Sequence, residues 1–116
     1  MIGEGTIVTP WKAMYADPID IRAGEPIVIG HEDPEWPGWR WCTDPRGKSG
    51  WTPSQYLDSS TILHDFTARE LTIEQGDRVT LLHELNGWYW AKHDDGREGW
   101  IPATHIARRV EGAAPQ

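Results

Sequence analysis

Cysteine is almost absent: Cys42 is the only one in 116 residues, so no disulfide forms within the chain and nothing points to an oxidising compartment. No apolar run approaches membrane-spanning length. The opening residues, MIGEGTIVTP, lack the basic start and apolar stretch of a secretory signal, so a cytoplasmic protein is expected. Basic residues are the minority, 11 Lys and Arg against 18 Asp and Glu. The resulting net charge of −7 disfavours nucleic acid and anionic membrane and favours a cationic partner. No window shows sustained helical periodicity. Catalytic signals are missing too: there is no Cys/His or Ser/His/Asp spacing, no phosphate-cradling glycine loop and no metal-ligand cluster, and Asp94-Asp95 falls in a hairpin turn. The chain therefore reads as a non-enzyme without a cofactor.

What is abundant is tryptophan, eight in all. Small cores cannot hide so many large rings, so several should be partly exposed for contact. Six of them belong to a repeat. GWRWCTDPRGKSGWTP, from Gly38 to Pro53, recurs as GWYWAKHDDGREGWIP, from Gly87 to Pro102, at a constant offset of 49 (39 to 88, 41 to 90, 51 to 100, 53 to 102). Upstream, Gly24-Glu25 matches Gly76-Asp77 and His31-Glu32 matches His83-Glu84 at an offset of 52, so three extra residues lie between Glu32 and Gly38. Two copies of one supersecondary unit follow, each of about 50 residues and marginal alone.

Taken in order, residues 1–6 are an expected flexible lead-in and 7–16 a first strand. Strands are expected at Ile27-Val28-Ile29, at 39–43 and at 49–52, with a hairpin at Asp44-Pro45-Arg46-Gly47 and a short last strand at Leu57. The second copy repeats this at 62–67, 79–83, 88–93 and 99–101, with Asn86-Gly87 and Asp95-Gly96 as tight turns. Five short strands per copy imply an all-β protein of two tandem five-stranded small barrels, residues 1–58 and 59–116, with a disordered tail from about residue 108. Only Asp58-Ser59-Ser60 is left to link them, so the barrels are expected to pack in a fixed orientation.

These residues resemble tandem Src homology 3 (SH3) domains of the kind found in bacterial proteins of about this size. Ile62-Leu63-His64-Asp65-Phe66 then Ala68 resembles the family's ALYDY opening, Gly76-Asp77 its Gly-acid pair, and Gly99-Trp100-Ile101-Pro102 its closing motif. The resemblance spans roughly residues 8–57 and 61–107. It implies a peptide-binding module whose aromatic groove accepts an extended proline-rich segment, because a polyproline helix loses little entropy on docking. By this resemblance Trp39, Pro53 and Tyr56 line the first groove and Phe66, Trp88 and Pro102 the second. Lys12 and Met14 stand where the family has two tyrosines, and His64 and His105 replace tyrosines in the second copy. The loop between Ala68 and Leu71 is three residues shorter than usual.

Each candidate has a bland reading beside the functional one. Trp39 and Trp88 stack on ligand, or they cap the barrels. Trp51 and Trp100 line the same grooves, whereas Trp41 and Trp90 belong to the scaffold. Glu32, Asp33 and Glu35 beside Trp36 form an arginine receptor, or a solvated loop. His64 and His105, replacing tyrosines that touch, form a metal-binding or pH-sensitive pair, or serve as flat polar rings. Two ligands without a third make a weak site, and no metal is expected. Cys42 aligns with Ala91 as an inert core thiol. The function expected is binding of a protein or peptide, proline-rich and basic. The alternative is self-association, with the aromatic surfaces buried between barrels or in a homodimer that uses Trp36.

Overall fold

The computed structural model describes residues 2–109. Among them there is no α-helix, and no helix is long and apolar enough to cross a membrane. Strands run β1 (Gly3–Ile7), β2 (Asp20–Ile21), β3 (Val28–Glu32), β4 (Trp39–Thr43), β5 (Ser49–Pro53), β6 (Leu57–Asp58), β7 (Thr61–Ile62), β8 (Phe66–Thr67), β9 (Arg78–Leu85), β10 (Trp88–His93), β11 (Glu98–Pro102) and β12 (Ile106–Arg109). Two 3-10 turns, Ser54–Tyr56 and Ala103–His105, follow β5 and β11.

The chain divides into two compact units, but not at residue 58. Residues 14–69 form an inner unit; residues 1–13 and 70–116 form a split unit around it in sequence. The expected boundary therefore moves, and the lead segment of each repeat leaves its own repeat. Ile7, Trp11 and Ala13 match Ile62, Phe66 and Ala68 at an offset of 55, yet the first three lie in the split unit and the second three in the inner one. Only Ala68, Arg69 and Glu70 separate Thr67 of β8 from Leu71. So short a link favours passing onward over reversing beside the same strand.

In the split unit one sheet has the order β11-β10-β9-β1-β12. The expected lead-in is thus a central strand: β1 pairs with β9 through Gly3↔Leu81 and with β12 through Ile7↔Ile106. The expected strand 7–16 ends at Ile7, and Arg108 and Arg109, placed in the disordered tail, lie in β12; the remainder of that tail lies outside the described residues. Strand alternation puts Val79, Leu81, Tyr89, Ala91 and Ile101 into one core with Ile7 and Ile106. Trp88, Trp90 and Trp100 occupy the opposite face.

The inner unit has smaller sheets, β3-β4-β5, β2-β8 and β6-β7. Ile19, Ile21, Ile27, Cys42 and Ile62 are buried in it. The expected strand 62–67 is broken in two, with Ile62 in β7 and Phe66 in β8. The expected linker is instead a tight hairpin: Ser59 adopts φ 58°, and Asp58 pairs with Thr61. The Asn86-Gly87 turn forms as expected, with φ of 47° and 86°.

Candidate functional site

Each unit builds the same aromatic platform from three pieces. Gly38, at φ 92°, turns the chain into β4, and its carbonyl accepts from Ser54 N–H at 2.8 Å; Gly87, at φ 86°, does so for β10, accepting from Ala103 N–H at 2.9 Å. That clamp sets Trp39 opposite Pro53 and Trp88 opposite Pro102. The 3-10 turn then presents Tyr56 in the inner unit and His105 in the split unit. The third piece is the lead segment contributed by the other repeat.

In the inner unit that lead brings Phe66 to 6.4 Å from Trp39 and 6.0 Å from Tyr56, and His64 to 4.7 Å from Tyr56, edge to face. Phe66 is held by β2, through Ile21↔Phe66. Trp39 and Phe66 are buried, Tyr56 is half-buried and His64 is exposed. The rings thus form a floor with an accessible rim. Phe66 and His64 were expected beside Trp88; the exchange of lead segments sets them beside Trp39.

In the split unit Trp11 takes the place of Phe66. Its ring lies 5.4 Å from Trp88 and 5.1 Å from His105, both edge to face. Backbone bonds to Ile73 in both directions fix its segment, and its indole N–H donates to Glu70 Oε1 at 3.0 Å. His105 Nδ1 lies 3.2 Å from the Thr9 carbonyl and 3.3 Å from that of Pro10. Both oxygens only accept, so Nδ1 carries the proton. Lys12 and Met14, assigned to the tyrosine positions, are exposed, and Thr9 stands where the inner unit has His64. Trp11 had no apparent repeat partner; the signal that finds it is the Ile-x-x-x-aromatic-x-Ala pattern at offset 55. His64, in the inner unit, packs on Tyr56, and His105, in the split unit, packs on Trp11. Among the described residues no group of three or more His, Cys, Asp or Glu could hold a metal ion.

Trp51 and Trp100 stand one cross-strand pair further along the same face, opposite Trp41 and Trp90. Trp51 lies 5.0 Å from Trp41 and 5.4 Å from His31; Tyr15 closes on Trp41 at 5.4 Å. Trp100 lies 5.4 Å from Trp90 and 5.3 Å from His83, whose imidazole is pushed below its ordinary value by burial. The indole of Trp90 donates to Glu98 Oε1 at 2.9 Å.

Trp39 and Trp88, expected either to stack on ligand or to cap the barrels, are 4% and 8% accessible. In the acidic loop Asp33 Oδ1 accepts from the N–H groups of Glu35 and Trp36, so this carboxylate shapes the loop. Glu32 pairs in register with Arg40, and Glu35 is exposed. Cys42 is fully buried; burial raises its thiol, as an inert core position requires.

The SH3 domain family model matches residues 63–103. No curated protein and no solved structure matches the chain. The matched stretch opens in the lead segment of the inner unit and ends in the split unit, two residues short of His105.

Proposed function

We propose that this chain is a non-catalytic module, two tandem SH3-like barrels of the bacterial type, that binds another polypeptide in the cytoplasm through its aromatic grooves. The ligand is an extended, proline-rich segment with basic residues. The meeting of Trp39, Tyr56, His64 and Phe66 beside Pro53 carries this reading. Flat rings at mixed angles leave ridges and troughs that suit a polyproline helix. The family matched at residues 63–103 is in general a peptide-binding one without catalysis. Charge supports a basic ligand: residues 14–69 hold nine Asp and Glu against five Lys and Arg, a net of −4. The inner groove is the more complete, since the split unit offers Thr9 in place of His64.

The test is a titration of the isotope-labelled chain with arginine-containing proline-rich peptides, followed by indole signals. Trp39 should shift saturably, and Tyr56→Ala should weaken binding about tenfold or more. Silence of both Trp39 and Trp88 rejects the groove. A second reading, self-association, draws on half-buried Trp36 in the loop. Mass by light scattering that rises with concentration, and stops rising in Trp36→Ala, would select it.

A further inference from the structure

The two repeats treat one strand edge differently. In the split unit β9 is paired on both sides, with β10 and with β1. Its register with β1 is Thr6↔Arg78, Gly5↔Val79, Glu4↔Thr80 and Gly3↔Leu81, and Ile2 N–H donates to Leu81 O at 2.8 Å. The equivalent pairing in the inner unit begins the same way. Thr61 bridges Pro26, and Ile27 N–H donates to Ser60 O at 2.9 Å. There it stops. Ser59 turns the chain from β6 back into β7, so Asp58 and Ser59, which match Gly3 and Glu4, are committed to a hairpin. Among the described residues Val28 and Ile29 lack the partner that Thr80 and Leu81 have, and β3 pairs with β4 alone.

We propose that this free edge of β3 is a docking site for an extended polypeptide segment that adds as a strand, carrying an apolar side chain and no acidic residue. Ile27 directs its N–H to the free side, and the two-residue period of a strand directs that of Ile29 the same way. Val28 is 70% exposed, more than any other large hydrophobic residue described. An open groove of about 390 Å³ beside it is lined by Pro26, Ile27, Val28, Pro45 and Ser60, surface for an apolar side chain, with Thr43 and Asp44 as its polar members. An unpaired apolar edge is a template for strand addition. The occupant's extended form is read from the chain itself, since the matching edge of β9 is covered by the extended segment Ile2–Thr6; the exclusion of acids rests on the net charge of −4 over residues 14–69. No residue of this edge belongs to the aromatic groove, so the two sites are separable.

The experiment uses the full labelled chain and a soluble probe peptide of alternating valine and threonine with a lysine at each end. Saturable shifts of the Val28 and Ile29 amides, with exchange of the Ile29 amide slowed by about tenfold or more, are the expected result. Val28→Lys, at an exposed position, should weaken this binding about tenfold while the indole signals keep their positions. Shifts confined to the indoles of Trp39 and Trp88 overturn the proposal, because the probe then occupies the aromatic groove. So does protection of Ile29 that grows with protein concentration without peptide, since a second copy would then be the occupant. Absence of any shift at Val28 and Ile29 rejects the site outright.

Discussion

The inner and split units share an outer-face ladder, Trp39/Pro53 then Trp41/Trp51 in one and Trp88/Pro102 then Trp90/Trp100 in the other, but finish it differently. The split unit covers its ladder: Trp11 closes on Trp88, Trp90 is tied to Glu98, and Trp100 is 5% exposed. The inner unit leaves Trp51 half-buried where Trp100 is covered, with exposed His64 at the rim where the split unit has Thr9; His31 and His83 are both exposed. The free edge of β3 follows the same trend. Repetition of a motif thus reproduces a scaffold, while single positions such as Thr9 against His64, or Ser49 against Glu98, decide how open each surface is. The loan of lead segments means that neither groove is encoded by one contiguous repeat.

The largest expected effect tests that loan. Phe66→Ala removes a buried ring and should destabilise the chain by about 3–5 kcal/mol. In a milder variant, Phe66→Leu, the indole of Trp39 should shift and that of Trp88 should not. Trp11→Phe should do the reverse. Movement of Trp88 in response to Phe66, read by nitrogen–proton spectra, would mean that each repeat keeps its own lead.

A middle-sized effect compares two strand glycines. A Cβ on Gly99 would meet Leu71 N at 2.7 Å and the Glu70 carbonyl carbon at 2.8 Å; on Gly50 it would meet Ala68 Cβ and Ile19 Cγ2, each at 2.9 Å. Alanine at either site should cost about 1–3 kcal/mol. Gly99→Ala should cost more, because its obstacles are backbone atoms at shorter distances. Urea midpoints of the two variants check the order.

The smallest effect concerns pH. Glu25 pairs with Arg46 at 2.9 Å in the inner unit; Asp77, its counterpart in the split unit, meets His93 Nε2 at 3.2 Å, an ion pair only while that imidazole is protonated. Bonding first to the Arg46 guanidinium and then to the Arg22 N–H holds the Glu25 carboxyl at about 2, below its ordinary 4.5. A depressed folded value means that the contribution is fully present above pH 4.5 and lost as pH falls through about 2. Glu25→Gln should flatten the acid limb of the stability profile in that window and leave its slope above it unchanged. Both side chains are partly exposed, so the change is small.

Much of this was legible in one dimension. The offset of 49 located β4, β5, β10 and β11, because cross-strand pairing repeats when spacing repeats, and the turn glycines before Trp39 and Trp88 marked where each strand begins. The ring partners of Phe66, His64 and Trp11 were not legible, for a common reason. Which rings meet depends on which lead segment enters which unit, and local spacing is the same in either arrangement. The burial of Trp39 and Trp88 follows from that entry, since Phe66 and Trp11 come from the distant lead.

Sequence alone determined the all-β class, the two aromatic ladders, the acidic surface and the inert thiol. Each depends on alternation, turn chemistry and composition, which act over a few residues. The tertiary structure decided the partition of the chain at residues 13 and 69, the composition of each groove and the edge left unpaired on β3. Those choices turn on a link of three residues after Thr67 and a hairpin at Ser59. Their consequences appear only when segments far apart in the chain compete for the same strand edge.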